Sequence, residues 1–151
     1  MRINVFALMT LAILAIPSIS SAQPARVSSL SIKPSPFAPL ATLTFDITVT
    51  KASPGPTFAY VDIYRNTRDE TNFLGRLQTT VPASETKLRF ADPWQAPAAG
   101  HGVNHLIFIG YLAPDVDYPG MRTLVKWYDL KGDKMFHYRL EKAVNTPPSK
   151  Q

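Results

Sequence analysis

Strict alternation marks one stretch of this chain, and continuous apolarity marks another. In Ala41–Thr50 (ATLTFDITVT), Leu43, Phe45, Ile47 and Val49 point one way, while Thr42, Thr44, Asp46, Thr48 and Thr50 point the other. A two-residue period with β-branched side chains on both faces is a half-buried strand of an antiparallel sheet. Val103–Leu112 (VNHLIFIGYL) behaves differently. By parity, Val103, His105, Ile107, Ile109 and Tyr111 form one face, and Asn104, Leu106, Phe108, Gly110 and Leu112 form the other. Neither face is polar through its middle. Such a run predicts a strand in the interior of a sheet, covered on both sides, around which the other strands pack. A tail, a loop, a second sheet or a partner must cover its outer face.

The remaining segments read as shorter strands punctuated by turns. Gln23–Lys33 is partly alternating and ends in Pro34-Ser35-Pro36, which fits a sheet edge because proline cannot donate to a ladder. Lys51–Pro56 is a turn. In Thr57–Arg65, Ala59, Val61 and Ile63 are the better core face, which leaves Phe58, Tyr60 and Tyr64 partly exposed beside Asp62. Asn66–Glu70 is a polar loop, Thr71–Val81 a returning strand, and Thr86–Ala91 a short strand with Leu88 and Phe90 on one side. Asp92–Gly102 is a Pro/Gly/Ala connection, and Ala113–Gly120 an acidic loop. Met121–Leu130 and Lys134–Val144 form a hairpin about Lys131-Gly132-Asp133, where glycine supplies the positive φ of a tight turn. About eight short strands at regular spacing, with no segment of helical period, predict an all-β fold: a single antiparallel β-sandwich of about seven or eight strands, immunoglobulin-like, over residues 23–144. A closed eight-stranded β-barrel is the alternative. Asn145–Gln151 is a polar tail expected to be disordered.

The N-terminus changes the setting. Met1-Arg2 is a short positive end, Val5–Ile16 an apolar stretch, Pro17 a breaker, and Ser20-Ser21-Ala22 places small residues ahead of Gln23. These are the parts of a cleaved secretory signal peptide over residues 1–22. The apolar stretch falls short of the roughly 20 residues a membrane-spanning helix needs. The expectation is a secreted or periplasmic protein without a transmembrane anchor after cleavage. The chain has no cysteine, so packing must hold it together without disulfides, and thiol catalysis and thiolate metal sites drop out.

Net charge is +5 overall, and it is unevenly placed. Residues 23–120 carry eight basic and eight acidic side chains, whereas residues 121–151 carry seven basic against three acidic. A clustered excess suits an anionic partner, and it equally suits a solvated hairpin that keeps the protein soluble.

Tyr60-Val61-Asp62-Ile63-Tyr64-Arg65, Phe73-Leu74-Gly75, Leu88-Arg89-Phe90-Ala91-Asp92-Pro93 and the Gly100/Gly102 turn into the apolar strand together resemble fibronectin type III and related immunoglobulin-like domains. The resemblance covers roughly residues 57–112. It departs from the pattern where such domains carry a tyrosine early in the next strand; His105 or Phe108 stands near that place. It implies a sandwich, and a prior for adhesive, structural or recognition roles over catalysis.

Candidate chemistry is sparse. His101, His105 and His137 could supply three nitrogens to a zinc or copper ion, or cap and decorate the surface. Asp115 and Asp117 could contribute to a calcium site, or solvate a turn. Asp62 among Tyr60 and Tyr64 is a candidate sugar or peptide platform, or a carboxylate paired with an arginine. Trp94 is either a recognition aromatic or a plug at the end of the sandwich. Trp127 and Tyr128 sit beside Lys126 in the basic hairpin with Lys131 and Lys134, and one of the two aromatics should face out. No catalytic motif is present, and no cofactor or metal is expected. The sequence therefore points to an exported, non-catalytic binding module for a protein or an anionic envelope polymer, with binding residues Lys126, Trp127, Tyr128, Lys131, Lys134, Tyr60, Asp62, Tyr64 and Trp94. The alternative is a structural or assembly subunit that pairs through a sheet edge or apolar face; a small hydrolase or metal carrier is a third reading. Nucleic acid is not an expected partner.

Overall fold

The computed structural model describes residues 26–50, 58–82, 86–113 and 124–142. The expected signal segment (residues 1–22), the Asp115/Asp117 loop and the expected disordered tail lie outside the described residues. Nine strands are present among those described: β1 (Arg26–Lys33), β2 (Thr42–Thr50), β3 (Phe58–Arg65), β4 (Phe73–Thr80), β5 (Lys87–Arg89), β6 (Trp94–Gln95), β7 (His105–Ala113), β8 (Leu124–Lys131) and β9 (Lys134–Lys142). One short 3₁₀ turn, Glu70–Asn72, precedes β4.

The strands form two antiparallel sheets. One runs β1-β2-β5, with β6 pairing the start of β2; the other runs β4-β3-β7-β8-β9. Neither closes on itself, so the fold is a β-sandwich and not the closed barrel. The long apolar run is the middle strand of the five-stranded sheet, hydrogen-bonded to β3 on one side and β8 on the other. Two expectations need amending. The connection after β5 contains a two-residue strand, because Trp94 and Gln95 pair with Leu43 and Thr42. The loop after β3 also ends in the 3₁₀ turn, whose N-cap Asp69 accepts from the Asn72 amide.

Alternation explains the layering. Leu43, Phe45, Ile47 and Val49 of β2 face Ala59, Val61 and Ile63 of β3 and Leu106, Phe108 and Leu112 of β7 in one buried core. Burying each such side chain contributes about 1.5–3 kcal/mol, which is how a chain without disulfides holds a two-layer fold. Gly110 of β7 faces β1 and β2 of the other sheet. A Cβ there would stand 3.5 Å from both Ile47 and Leu30.

Phe37 ties the two sheets together. It leaves the first sheet after β1 and forms an antiparallel bridge with Met135 at the start of β9: its N–H donates to the Met135 carbonyl at 3.2 Å, and its carbonyl accepts from the Met135 N–H at 2.8 Å. Its ring lies 5.0 Å from that of Tyr128. The Ser35 and Tyr128 hydroxyls share a hydrogen bond of 3.1 Å beside it. The β8–β9 turn contains Gly132 at φ 64°, as the hairpin reading requires.

Candidate functional site

The outer face of the five-stranded sheet carries most of the unusual chemistry. Alternation sends Tyr60, Asp62 and Tyr64 of β3 to this side, together with His105, Ile107, Ile109 and Tyr111 of β7 and Val125, Trp127 and Asp129 of β8. Tyr60, Asp62, Ile107, Tyr111 and Val125 are buried there. The expectation that Tyr60 is partly exposed beside Asp62 is therefore corrected: both are inside. Tyr60 stacks on Tyr111 at 5.2 Å, and the Arg76 guanidinium lies over the Tyr60 ring. Cross-strand register sets Arg76 of β4 directly opposite Asp62. Its Nε and Nη2 donate to the two carboxylate oxygens at 2.6 and 2.9 Å. The Tyr111 hydroxyl donates to the same carboxylate at 3.1 Å. Burial and the Asp62 charge push the Tyr111 phenol well above its ordinary range, and burial followed by Asp62 also raises Tyr64. With both oxygens engaged, Asp62 is a structural anchor and not an open sugar platform.

The first sheet repeats this device. Asp46 faces Arg89 across β2 and β5 and accepts from it at 2.8 and 3.1 Å. Those hydrogen bonds, with weaker help from the charges of Arg89 and Lys33, hold the Asp46 carboxyl below its usual range against the cost of burial.

A second cluster on the outer face is open to solvent, and it centres on Trp127. Arg139 of β9 lies opposite Trp127 in register, its guanidinium 4.7 Å from the indole centroid. Arg68 reaches the same ring from the loop after β3, at 5.4 Å. Glu141 accepts from Arg68 at 3.0 Å and also from Arg139. Burial, then the neighbouring charge of Arg139, lowers the Arg68 pKa. Tyr138, displaced to this side by a bulge in β9, meets Trp127 edge-on and His105 at a tilt. Tyr138 is 44 % exposed and Phe136 38 %. His105 Nδ1 comes within 3.3 Å of an Asp129 oxygen, yet the two are not aligned for a hydrogen bond. His105 Nδ1 and Trp127 Nε1 are buried atoms without a hydrogen-bond partner.

The loop that delivers Arg68 is held at both ends. Asn66, at φ 57°, accepts from the Asn104 and His105 amides at 2.8 and 3.1 Å, and donates to the Gly102 carbonyl at 2.8 Å. Asp69 caps the 3₁₀ turn, accepting from the Asn72 amide at 3.1 Å and the Thr71 hydroxyl at 2.6 Å, and also from Thr67. The Thr67 and Thr71 hydroxyls bring its carboxyl down to about 2. Side chains that satisfy local amides fix such a loop without burying it.

The structure disperses the residues that the sequence grouped. Tyr128 is in the core, and of the Trp127–Tyr128 pair it is Trp127 that faces outward. Lys126 shares the inward face with Tyr128, half-buried, where desolvation lowers its pKa. Lys131 and Lys134 are exposed at the hairpin tip, about 13 Å along β8 from Trp127. Trp94 packs edge-on against Phe108 at 6.1 Å, in the position of a plug between the sheets. His105 faces outward, but His137 packs on Tyr128 on the inward side. The three histidines therefore do not converge, and no group of three metal-ligating side chains does so among the described residues. A small apolar cavity bordered by Phe37, Leu106, Leu130 and Met135 holds about 20 Å³, against the roughly 300 Å³ at which ligand pockets begin. Arg68, Tyr138, Arg139 and Glu141 were missed. The Asn66–Asn72 run of turn-forming side chains was the available signal for Arg68, while the others needed the β8–β9 register.

No protein-family model, no curated protein and no solved structure matches this chain.

Proposed function

We propose that this is an exported, non-catalytic binding module of the immunoglobulin-like, fibronectin type III-like kind, whose recognition surface is the outer face of β8 and β9 around Trp127. The proposed ligand is an anionic envelope polymer. One observation carries this reading: two guanidinium groups lie within 5.4 Å of one indole ring, flanked by exposed Tyr138 and Phe136. A stacked guanidinium keeps its edge donors for carboxylates or phosphates, and cation–π contact holds it at a cost below that of ordering a free side chain. Glu141 shares itself between the two arginines, so the pair retains a net positive charge. An arginine that turns to an anionic ligand exposes the ring face and brings the unpartnered indole N–H within reach of a sugar hydroxyl. Lys131 and Lys134 at the tip extend the positive strip.

The test is co-sedimentation with lipopolysaccharide vesicles and with cell-wall sacculi across a salt series. Binding at low salt should fall steeply as salt rises, and Arg139→Ala and Trp127→Ala should each weaken it at least several-fold. No binding at low salt, or binding indifferent to both substitutions, rejects the polymer reading. A protein ligand is the other reading of the same surface, favoured if the polymers fail while Trp127→Ala abolishes capture of a single defined envelope protein.

A further inference from the structure

We infer that two copies of this chain pair edge to edge through β9, with the twofold axis at Leu140. Five strands border the two sheets, and four of them are poor edges for further pairing. β1 is bulged between Val27 and Ser29 and ends at Lys33-Pro34. β5 is three residues long and β6 two; β4 is interrupted by a bulge at Leu74 and by Gly75, and its exposed positions beyond them, Arg76, Gln78 and Thr80, are polar. β9 is a nine-residue strand that carries three exposed large apolar side chains, Phe136, Tyr138 and Leu140, the last 46 % exposed. Among the described residues, its outer edge meets only Phe37, at Met135. That bridge seals the hairpin end and leaves the stretch beyond the Tyr138 bulge. A long edge with apolar side chains is a template for another strand.

Symmetry and charge then select one register. Antiparallel pairing about a twofold axis keeps the outer faces of both sheets on the same side, so the axis must pass through a residue that meets its own copy. Beyond the bulge the choices are Arg139, Leu140, Glu141 and the terminal Lys142. An axis at Arg139, Glu141 or Lys142 sets like charges directly opposite one another, which is destabilising. An axis at Leu140 sets leucine against leucine and places each Arg139 opposite the second copy's Glu141, twice over, on the outer face. Arg139 and Glu141 already meet within one chain, so the pairing joins two such couples into a four-residue alternating cluster. It also makes one ten-stranded sheet, with the two Trp127 clusters on the same side. The pairing does not depend on the ligand assigned above.

The chain has no cysteine, which makes Leu140→Cys a direct probe. Residues facing their own copies across an antiparallel pair have Cα atoms about 4.5–5.5 Å apart, within disulfide range. Under mild oxidation this variant should cross-link to a dimer much faster than Gln78→Cys on the opposite edge. Light scattering across a concentration series should show the wild type approaching twice the monomer mass. Glu141→Arg should return it to monomer, and Arg139→Glu combined with Glu141→Arg should restore the dimer, with circular dichroism confirming that each variant folds. A strict monomer at every concentration, equal cross-linking at positions 140 and 78, or failure of the double exchange to rescue overturns the inference. A protein that dimerises yet ignores the polymers removes the polymer reading alone. A monomer that binds them removes this pairing alone.

Discussion

Removing Asp62 should cost far more than removing Asp46, although both carboxylates are buried and both are gripped by an arginine directly across the strand. The difference lies in what is left behind. At Asp62 the arginine is 31 % exposed, and at Asp46 it is 68 % exposed. Asp62→Ala removes the carboxylate to which Arg76 Nε and Nη2 donate and takes the same acceptor from the buried Tyr111 hydroxyl. Breaking a buried pair from one side costs about 3–5 kcal/mol, and partial access of water to Arg76 places this case near the lower end, about 3 kcal/mol. Asp46→Ala leaves Arg89 and Lys33, both largely in water, where solvent takes the place of the lost partner and the pair contributes little. Equilibrium urea unfolding measures both. With a slope of about 1–3 kcal/mol/M, Asp62→Ala should lower the midpoint by at least about 1 M, and Asp46→Ala by a third of that or less. Equal losses, or an Asp62→Ala variant within about 0.5 kcal/mol of wild type, would refute the claim that exposure of the partner sets the cost.

Three further outcomes are expected. Burial raises the phenol pKa of Tyr111, with Asp62 adding to it, and also that of Tyr128. A raised folded-state value gives stability that is complete below the unfolded pKa of about 10 and declines as pH climbs beyond it. Tyrosinate absorbance should therefore rise in two stages, the second coinciding with loss of circular dichroism; one reversible step near pH 10 with the fold intact contradicts this. Gly110→Ala places a methyl at ordinary contact distance from Ile47 and Leu30 and should be neutral or up to about 1 kcal/mol stabilising, while Gly110→Val overpacks and costs about 1–3 kcal/mol, as read by thermal unfolding. Phe37→Ala should cost about 3–5 kcal/mol and accelerate amide exchange at Met135, whose N–H donates to the Phe37 carbonyl; unchanged exchange there would show that the bridge is not held by the ring.

The two-layer fold was readable because β2 and β3 alternate cleanly and β7 does not. The absence of a polar face on β7 correctly marked it as the interior strand, yet could not say what covers its outer side. That cover includes Arg76 and Tyr60 from neighbouring strands, arranged by a register invisible to local pattern. Tyr60 was assigned to the surface for the same reason: alternation tells sides apart, but it cannot tell a covered side from a bare one. Alternation required one of Trp127 and Tyr128 to face outward without saying which; it is Trp127, and its cationic neighbours Arg68 and Arg139 come from a distant loop and the next strand. Lys126 was grouped with Trp127 by proximity in sequence, and adjacent residues in a strand point apart.

The Ser35–Tyr128 and Phe37–Met135 contacts have a kinetic consequence. The first joins residues 93 positions apart, and both draw on the last hairpin. Contacts between the beginning and end of a chain close late and slowly, because the entropy of a long loop must be overcome first. A nascent chain that has not yet delivered β8 and β9 has nothing to seat Phe37 against, and the core beneath it stays open. The order of synthesis thus keeps the sandwich unfinished until β8 and β9 have emerged. For a protein proposed to be exported, that delay keeps the chain loose enough to be threaded across a membrane before it locks.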